Sequence, residues 1–356
     1  MRGQLMHAKR TIAAVLSLAV GFSLAACQDN ASSVAVSSAA SASSAAVSTV
    51  PKTQFTVALS ADTPAPLLSG IYAADAQGYF TKCGLEVVLQ SADTEKAAVD
   101  MVTCGTAQFA AASQSGSFAE ALAAKKPVTA VASLLQHSDA GVLVPPKGKK
   151  VNRFKQLDSI PCLTGDNPVL TAKLKTAIGA DGGNVPAVTT ASSTGKDAVA
   201  VLKSASVPAF CGSYSWDGLS CRENSVDANF LFFRDADAVL DEYPLLLATG
   251  NSVLKQKPKA VKDMLTALQM GYSYAASHPE NTTKLLCSKI ASVRDKQALI
   301  QRSLTWLAGK YTDDAARWGV LDSQRWNHFY TWMNQQKLTT SAVPLSTGMS
   351  NDYLPD

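Results

Sequence analysis

Four short clusters of polar and aromatic residues have the side chains needed to hold a small molecule. Gly212-Ser-Tyr-Ser-Trp-Asp217 places two aromatic rings beside a carboxylate. A flat heteroaromatic ring can stack on Tyr214 or Trp216, an offset contact contributing roughly 0.5–1.5 kcal/mol beyond burial, and Asp217 can accept from an exocyclic amine. A surface loop closed by a Cys211–Cys221 disulfide accounts for the same residues without a ligand. Asp62 and Thr63 follow one apolar strand pattern, Ser113, Gln114 and Ser115 follow another, and Thr164, Gly165 and Asp166 follow a third. Ser115 to Ser117 opens a helical stretch, whose free backbone N–H groups suit a carboxylate, sulfonate or phosphate, with ordinary capping as the competing explanation. Tyr72 reads either as core or as the edge of a ligand, and Arg234 with Asp235 equally as a hinge ion pair. Trp306, Trp318, Trp326 and Trp332 fall in the C-terminal tail and read as helix packing.

Catalytic patterns are missing. There is no G-x-S-x-G, Walker or dinucleotide motif and no C-x-x-C pair, and His137, His278 and His328 have no partners at metal or triad spacing. The expectation is a protein without catalytic residues, cofactor or metal.

Export is written at the N-terminus. Arg2, Lys9 and Arg10 precede an uncharged apolar run, Ile12 to Ala26, the layout of a secretory signal that is too short for a comfortable membrane span. Leu24-Ala-Ala-Cys27 resembles a bacterial lipobox, which implies acylation of Cys27, a membrane anchor and a location facing the periplasm or cell exterior. Residues 28–53 are a Ser/Ala/Val low-complexity stretch, read as a flexible tether. Without the three signal cations the balance falls from 32 basic against 28 acidic residues to 29 (32 minus 3) against 28, and the absence of a basic run interleaved with aromatics argues against nucleic acid. Of seven cysteines, six remain beyond Cys27, an even number that in an exported chain suggests disulfides. Proximity favours Cys83 with Cys104 and Cys211 with Cys221, leaving Cys162 and Cys287.

These residues need a scaffold. Phe55 to Leu59 alternates as a strand. Leu67 to Gln90 begins with apolar residues at helical spacing and, after Gly84, switches to the alternation of a strand at Leu85, Val87 and Leu89. Asp93 is a plausible N-cap for the next helix, Thr94 to Thr103. Further strands are expected at Gln108–Ala112, Pro127–Leu135 and Gly141–Val144, giving a mainly parallel sheet whose ligand loops lie beyond the strand ends. Pro145-Pro146 and KGKK (147–150) read as a crossover into a second lobe, with strands near Ser159–Leu163, after Val207 and at Phe230–Phe233. From Pro258 onward the pattern is helical, and this tail is expected to pack on the first lobe. The resulting organisation is signal peptide 1–26, lipidated Cys27 and tether to 53, lobe 1 from 54–146 plus 240–356, and lobe 2 from 147–239. The fold class is α/β: a bilobed periplasmic-binding-protein fold (type II-like) with a ligand cleft between two α/β lobes.

Gly70 to Val87, GIYAADAQGYFTKCGLEV, resembles the first helix and second strand of the thiamine-pyrimidine-precursor (NMT1/THI5-like) solute-binding protein family of ABC transporters. Lys126-Pro-Val-Thr-Ala-Val-Ala-Ser-Leu-Leu135, Lys257-Pro-Lys-Ala-Val261, Ala275-Ala-Ser-His-Pro-Glu280, Trp326-x-x-Phe-Tyr-x-Trp-Met333 and Ser350-Asn-Asp-Tyr-Leu-Pro355 extend the likeness over nearly all of the mature chain. It implies binding of a pyrimidine precursor of thiamine for delivery to an ABC permease by a monomeric protein, with Tyr214, Trp216 and Asp217 near the pyrimidine. Two departures stand out. Ser60-Ala-Asp-Thr-Pro-Ala-Pro66 holds the place of the family's Trp- and His-bearing loop, and the cysteine-rich cluster of the pyrimidine-making members is absent. A binding protein of the same fold for sulfonate or another small anion is the alternative, and a pyrimidine-synthesis enzyme is disfavoured.

Overall fold

A computed structural model describes residues 52–144, 151–192, 197–204 and 209–356. The signal peptide, Cys27, nearly all of the tether, the Pro145–Lys150 run and the Ser193–Lys196 turn lie outside the described residues.

The strands are β1 (Thr53–Ser60), β2 (Leu85–Ala92), β3 (Phe109–Ala112), β4 (Val128–Leu135), β5 (Ala140–Val144), β6 (Cys162–Leu163), β7 (Thr190–Ala191), β8 (Ala209–Ser213), β9 (Asn229–Phe232) and β10 (Leu245–Gly250). The first helices are α1 (Ser69–Ala76), α2 (Tyr79–Lys82), α3 (Glu95–Thr103), α4 (Ser117–Ala123), α5 (Pro168–Ala180), α6 (Ala198–Lys203), α7 (Leu219–Glu223) and α8 (Phe233–Ala236). After them come α9 (Asn251–Gln256), α10 (Pro258–Ser277), α11 (Pro279–Lys289), α12 (Gln297–Leu307) and α13 (Ser323–Gln335).

Two five-stranded sheets result, ordered β2-β1-β3-β10-β4 and β7-β6-β8-β5-β9. Neither is wholly parallel, because β10 runs antiparallel to β3 and β4, and β5 antiparallel to β8 and β9. β5 corrects the expected organisation: the stretch Gly141–Val144 belongs to the second sheet, not the first. The chain therefore crosses between sheets at Gln136–Asp139, ahead of Pro145, and returns between Phe233 and Leu245.

The Leu67–Gln90 switch forms with one addition. Gly78 and Gly84 both adopt positive φ, 67° and 75°, where a Cβ would be strained, and the short α2 sits between them. The next helix is capped by Thr94, not Asp93, its side chain accepting from the Ala97 N–H. The expected strand at Ser159–Leu163 shortens to Cys162–Leu163. Phe233 leaves its strand to start α8.

Each sheet buries both faces. Phe55, Val57, Leu59, Phe109, Val131 and Leu247 pack one face of the first sheet against α1 and α10. Its other face, with Ala58, Ala110 and Ala248, joins a core that continues through Trp326, Phe329 and Tyr330 of α13 to Val142, Cys162, Leu174, Ile178 and Cys211 around the second sheet. α13 thus bridges the sheets, and Trp332 Nε1 donates to Thr176 Oγ1 of α5 at 3.0 Å. α12 bridges them again, packing Leu299 and Trp306 beside Tyr214 and Leu219. The helical tail therefore serves both sheets.

All six described cysteines are free thiols, overturning the disulfide expectation for Cys83, Cys104, Cys162, Cys211, Cys221 and Cys287. Cys211 packs into the core on one face of the second sheet, whereas Cys221 of α7 packs into the cluster on the other face with Leu143 and Phe210. The sheet separates them, whatever their nearness in sequence. Among the described residues no helix is long and apolar enough to cross a membrane.

Candidate functional site

The candidate residues sit where parallel strands end, but they do not form one continuous surface. After β1, Ser60 Oγ accepts the Asp62 N–H at 3.1 Å, leaving Asp62 exposed and Thr63 half-buried. The next turn buries Ala65 against Leu286, Ile300 and Leu304, with Tyr72 and Trp216 packed on the same cluster. Tyr72 from the first sheet's helices and Trp216 from the second sheet's loop are thereby brought together. Burial raises the Tyr72 phenol above its ordinary range.

After β3 the expected anion-binding amides are partly engaged by the chain itself. Glu95, at the start of α3, accepts from Ser113 N at 2.9 Å and from Ser117 N at 2.7 Å. A Cβ on Gly116 would lie 2.2 Å from Glu95 Oε1, so this glycine makes room for the carboxylate. Desolvation pushes the Glu95 pKa up, against the lowering effect of these hydrogen bonds. Gln114 is fully buried, its Oε1 accepting from Tyr243 N at 2.8 Å, and Ser115 is half-buried. Sequence reasoning missed Glu95. Its signal was an acidic residue opening the helix after the second strand, at the same sheet edge as the Ser113 loop.

Beyond β8 the loop folds into one π-helical turn, Tyr214–Gly218, a form that recurs at functional positions. Two carboxylates hold it. Asp217 Oδ2 accepts from Ser213 N at 2.9 Å, and Asp139 Oδ2, from the first crossover, accepts from Ser215 N at 3.0 Å. Burial, with Asp139 nearby, raises Asp217 to about 6, and burial raises Asp139 as well. Tyr214 is buried among Phe230, Phe232 and Trp306, with ring centroids 5.1–5.4 Å away. Its faces are occupied by these neighbours. Trp216 is only half-buried and lies under Lys296, whose Nζ is 5.1 Å from the ring centroid. A cavity of about 480 Å³ opens beside Trp216 and Asp217, walled by α6, α7 and the start of α12. Its ionisable lining is Asp197, Asp217, Glu223, Asp295 and Lys296, with Glu223 paired to Arg302 of α12.

The Thr164–Asp166 cluster stands apart. Thr164 is buried and accepts from Thr171 Oγ1 at 3.0 Å, and Gly165 and Asp166 turn with φ of 66° and 59°. Asp166 accepts from Ser192 Oγ, and both line a separate cavity of about 470 Å³ with Thr190 and Lys175.

His137 acquires partners that its sequence spacing did not reveal. It lies in the first crossover, with Nδ1 2.6 Å from Asp241 of the return crossover and Nε2 2.8 Å from Asp314. Arg325 of α13 reaches Asp241 at 3.3 Å and Gln136 O at 2.6 Å, and stacks on Tyr243. The Asp241 and Asp314 carboxylates hold the imidazole pKa above its ordinary value. Arg234 donates to Ser138 O at 2.8 Å, while its ion pair with Asp235 is long at 3.9 Å.

Comparison with known proteins agrees with this architecture. The fold is similar to that of the alkanesulfonate-binding protein SsuA from Xanthomonas axonopodis pv. citri bound to MOPS (TM-score 0.60, 12% identity, 85% of this chain and 99% of that one). It is also similar to the periplasmic nitrate-binding protein NrtA from Synechocystis PCC 6803 (TM-score 0.58, 15% identity, 85% and 87% covered). The desulfurization enzyme DszB shares it too (TM-score 0.58, 14% identity, 85% and 97% covered), so the fold alone does not separate binding from catalysis. No curated protein sequence matches the chain. The family model described as NMT1/THI5 like matches residues 65–282, well over half the chain, from the turn after β1 to the start of α11, and the protein belongs to that family.

Proposed function

We propose that this chain is the extracytoplasmic solute-binding component of an ABC importer, anchored through lipid on Cys27, and that it binds a small amine-bearing heteroaromatic molecule. A thiamine-pathway pyrimidine, hydroxymethyl- or formylamino-substituted, is the best representative. Family membership and the two-sheet fold support the class. The observation that carries the ligand reading is the Trp216–Asp217 cavity: a half-buried indole offers a stacking face, and four carboxylates against one ammonium in the lining favour a donor over an anion. Burial that raises Asp217 to about 6 strengthens the acceptor it presents once ionised. The sulfonate alternative is weakened by Glu95, which already holds two amides of the Ser113–Ser117 turn. Asp62, Thr63, Tyr72 and Ser115 are kept as candidates for the side of the ligand facing the first sheet.

Function here is an equilibrium, and thermal shift tests it. A ligand at 100 times its dissociation constant stabilises by roughly 2.7 kcal/mol. A panel of aminopyrimidines, thiamine, riboflavin and alkylsulfonates should give a shift with the pyrimidines alone. Asp217→Asn should weaken that binding at least about tenfold, the loss of a charged hydrogen bond, and wild-type affinity should rise as pH rises through about 6. No shift with any pyrimidine would overturn the ligand, and turnover by the purified protein would overturn the class.

A further inference from the structure

The end of the first sheet opposite the candidate ligand loops carries a concentration of lysines that the nearly neutral composition conceals. The parallel strands β1, β2, β3 and β4 begin at this end and β10 finishes there. Lys52 precedes β1, Lys82 precedes β2, Lys125 and Lys126 precede β4, and Lys255 and Lys257 follow β10, all of them exposed. Backbone bonds fix the grouping: Thr53 N donates to Gly84 O at 3.1 Å and Asn251 N to Pro127 O at 2.9 Å, so these segments are neighbours. The acidic groups nearby are few. Asp100 is shared by Lys126 and Lys96, Asp263 is taken by Lys259, and Glu86 accepts from Gln54. Lys52, Lys82, Lys125, Lys255 and Lys257 have no carboxylate partner among the described residues.

Helix stability accounts for Lys82 and Lys255, which lie in the last turns of α2 and α9, where cations are favoured, but not for the rest. Lys257 caps α10 and Lys259 lies in its first turn, where the unsatisfied N–H groups disfavour cations. The chain also enters the first sheet here, at Thr53, so this is the end at which a tether from Cys27 would attach. We propose that the lysine end of the first sheet docks on the anionic headgroup surface of the membrane, leaving the ligand loops of that sheet directed away from it. Lysine near an anionic surface is attracted strongly enough to change binding about fivefold per residue, and four or five of them suffice for weak, reversible docking without an acyl chain. This surface is independent of the ligand reading, and its test does not involve a ligand.

The test uses residues 50–356, which form one compact unit containing both sheets and every described core cluster. Sedimentation with phosphatidylcholine vesicles is compared with vesicles holding about 30% phosphatidylglycerol. Binding is expected only to the anionic vesicles, and is expected to disappear near 1 M salt, where the Debye length falls to about 3 Å. Lys255→Gln/Lys257→Gln should reduce it at least about tenfold, whereas Lys284→Gln/Lys289→Gln on α11 should leave it unchanged. Equal binding to both vesicle types, or none to the anionic ones, overturns the proposal. If the double variant misfolds, the salt dependence of wild-type binding decides alone, and salt-insensitive binding overturns it.

Discussion

His137→Gln at the crossover is the most quantitative test of how the two sheets are joined. His137 places one ring nitrogen 2.6 Å from Asp241, whose side chain is 12% exposed, and the other 2.8 Å from Asp314, which is 78% exposed. A hydrogen bond to a charged, mostly buried partner contributes about 1.5–3 kcal/mol, while an exposed pair contributes about 0–1 kcal/mol. The Arg325 guanidinium, 2.9 Å from the ring nitrogen that faces Asp241, opposes part of this, so the cluster is worth about 2–3 kcal/mol when His137 is protonated. Its sign with pH follows from the raised imidazole pKa: the contribution is complete below the unfolded value, near ~6.5, and is lost as pH rises through the folded value. Neutral His137 still donates to one carboxylate, so about half survives, a loss of about 1–2 kcal/mol. Gln at this position keeps one donor and cannot titrate. Its deficit relative to wild type should be about 1–2 kcal/mol at pH 6 and should shrink toward zero above the folded value. Urea unfolding of both proteins at pH 6, 7.5 and 9 measures this difference, and groups that titrate equally in both cancel. A deficit that stays constant across those pH values would refute the reasoning.

Three further outcomes follow from the packing. Glu95→Ala removes acceptors from Ser113 N and Ser117 N and should destabilise the protein by about 2–4 kcal/mol, read by denaturant midpoint; a change under about 0.5 kcal/mol would mean that water replaces the carboxylate without penalty. Gly271→Ala puts a methyl 2.1 Å from Gly70 O on the facing helix, so α1 and α10 must separate at a loss of about 1–3 kcal/mol or more, whereas an unchanged midpoint would contradict this contact. Thiol labelling of the native chain should modify exposed Cys104 first, its pKa lowered by the Thr106 hydrogen bond, while buried Cys162 and Cys211, both pushed up by desolvation, react only after unfolding; a mass change on reduction would reveal a disulfide instead.

What the sequence determined by itself is local. Alternation at Phe55–Leu59 and Leu85–Leu89, the break at Gly84, and the helical stretch from Pro258 needed only side-chain period and backbone sterics, and all formed. The family was legible too, because its motifs occupy contiguous segments of this same scaffold. What period cannot carry is partnership. Val142 and Leu143 alternate as well for one sheet as for the other, and only the contacts of β5 with β8 and β9 decide that it belongs to the second. The even cysteine count suggested pairs, but a disulfide needs two Cα atoms within about 7 Å, and the second sheet lies between Cys211 and Cys221. Glu95 and Ser113, or His137 with Asp241, Asp314 and Arg325, meet across long stretches of sequence. Tertiary structure alone decided where these charges go, because hydrogen bonds and ion pairs depend on distances of a few ångströms that chain folding sets and residue order does not.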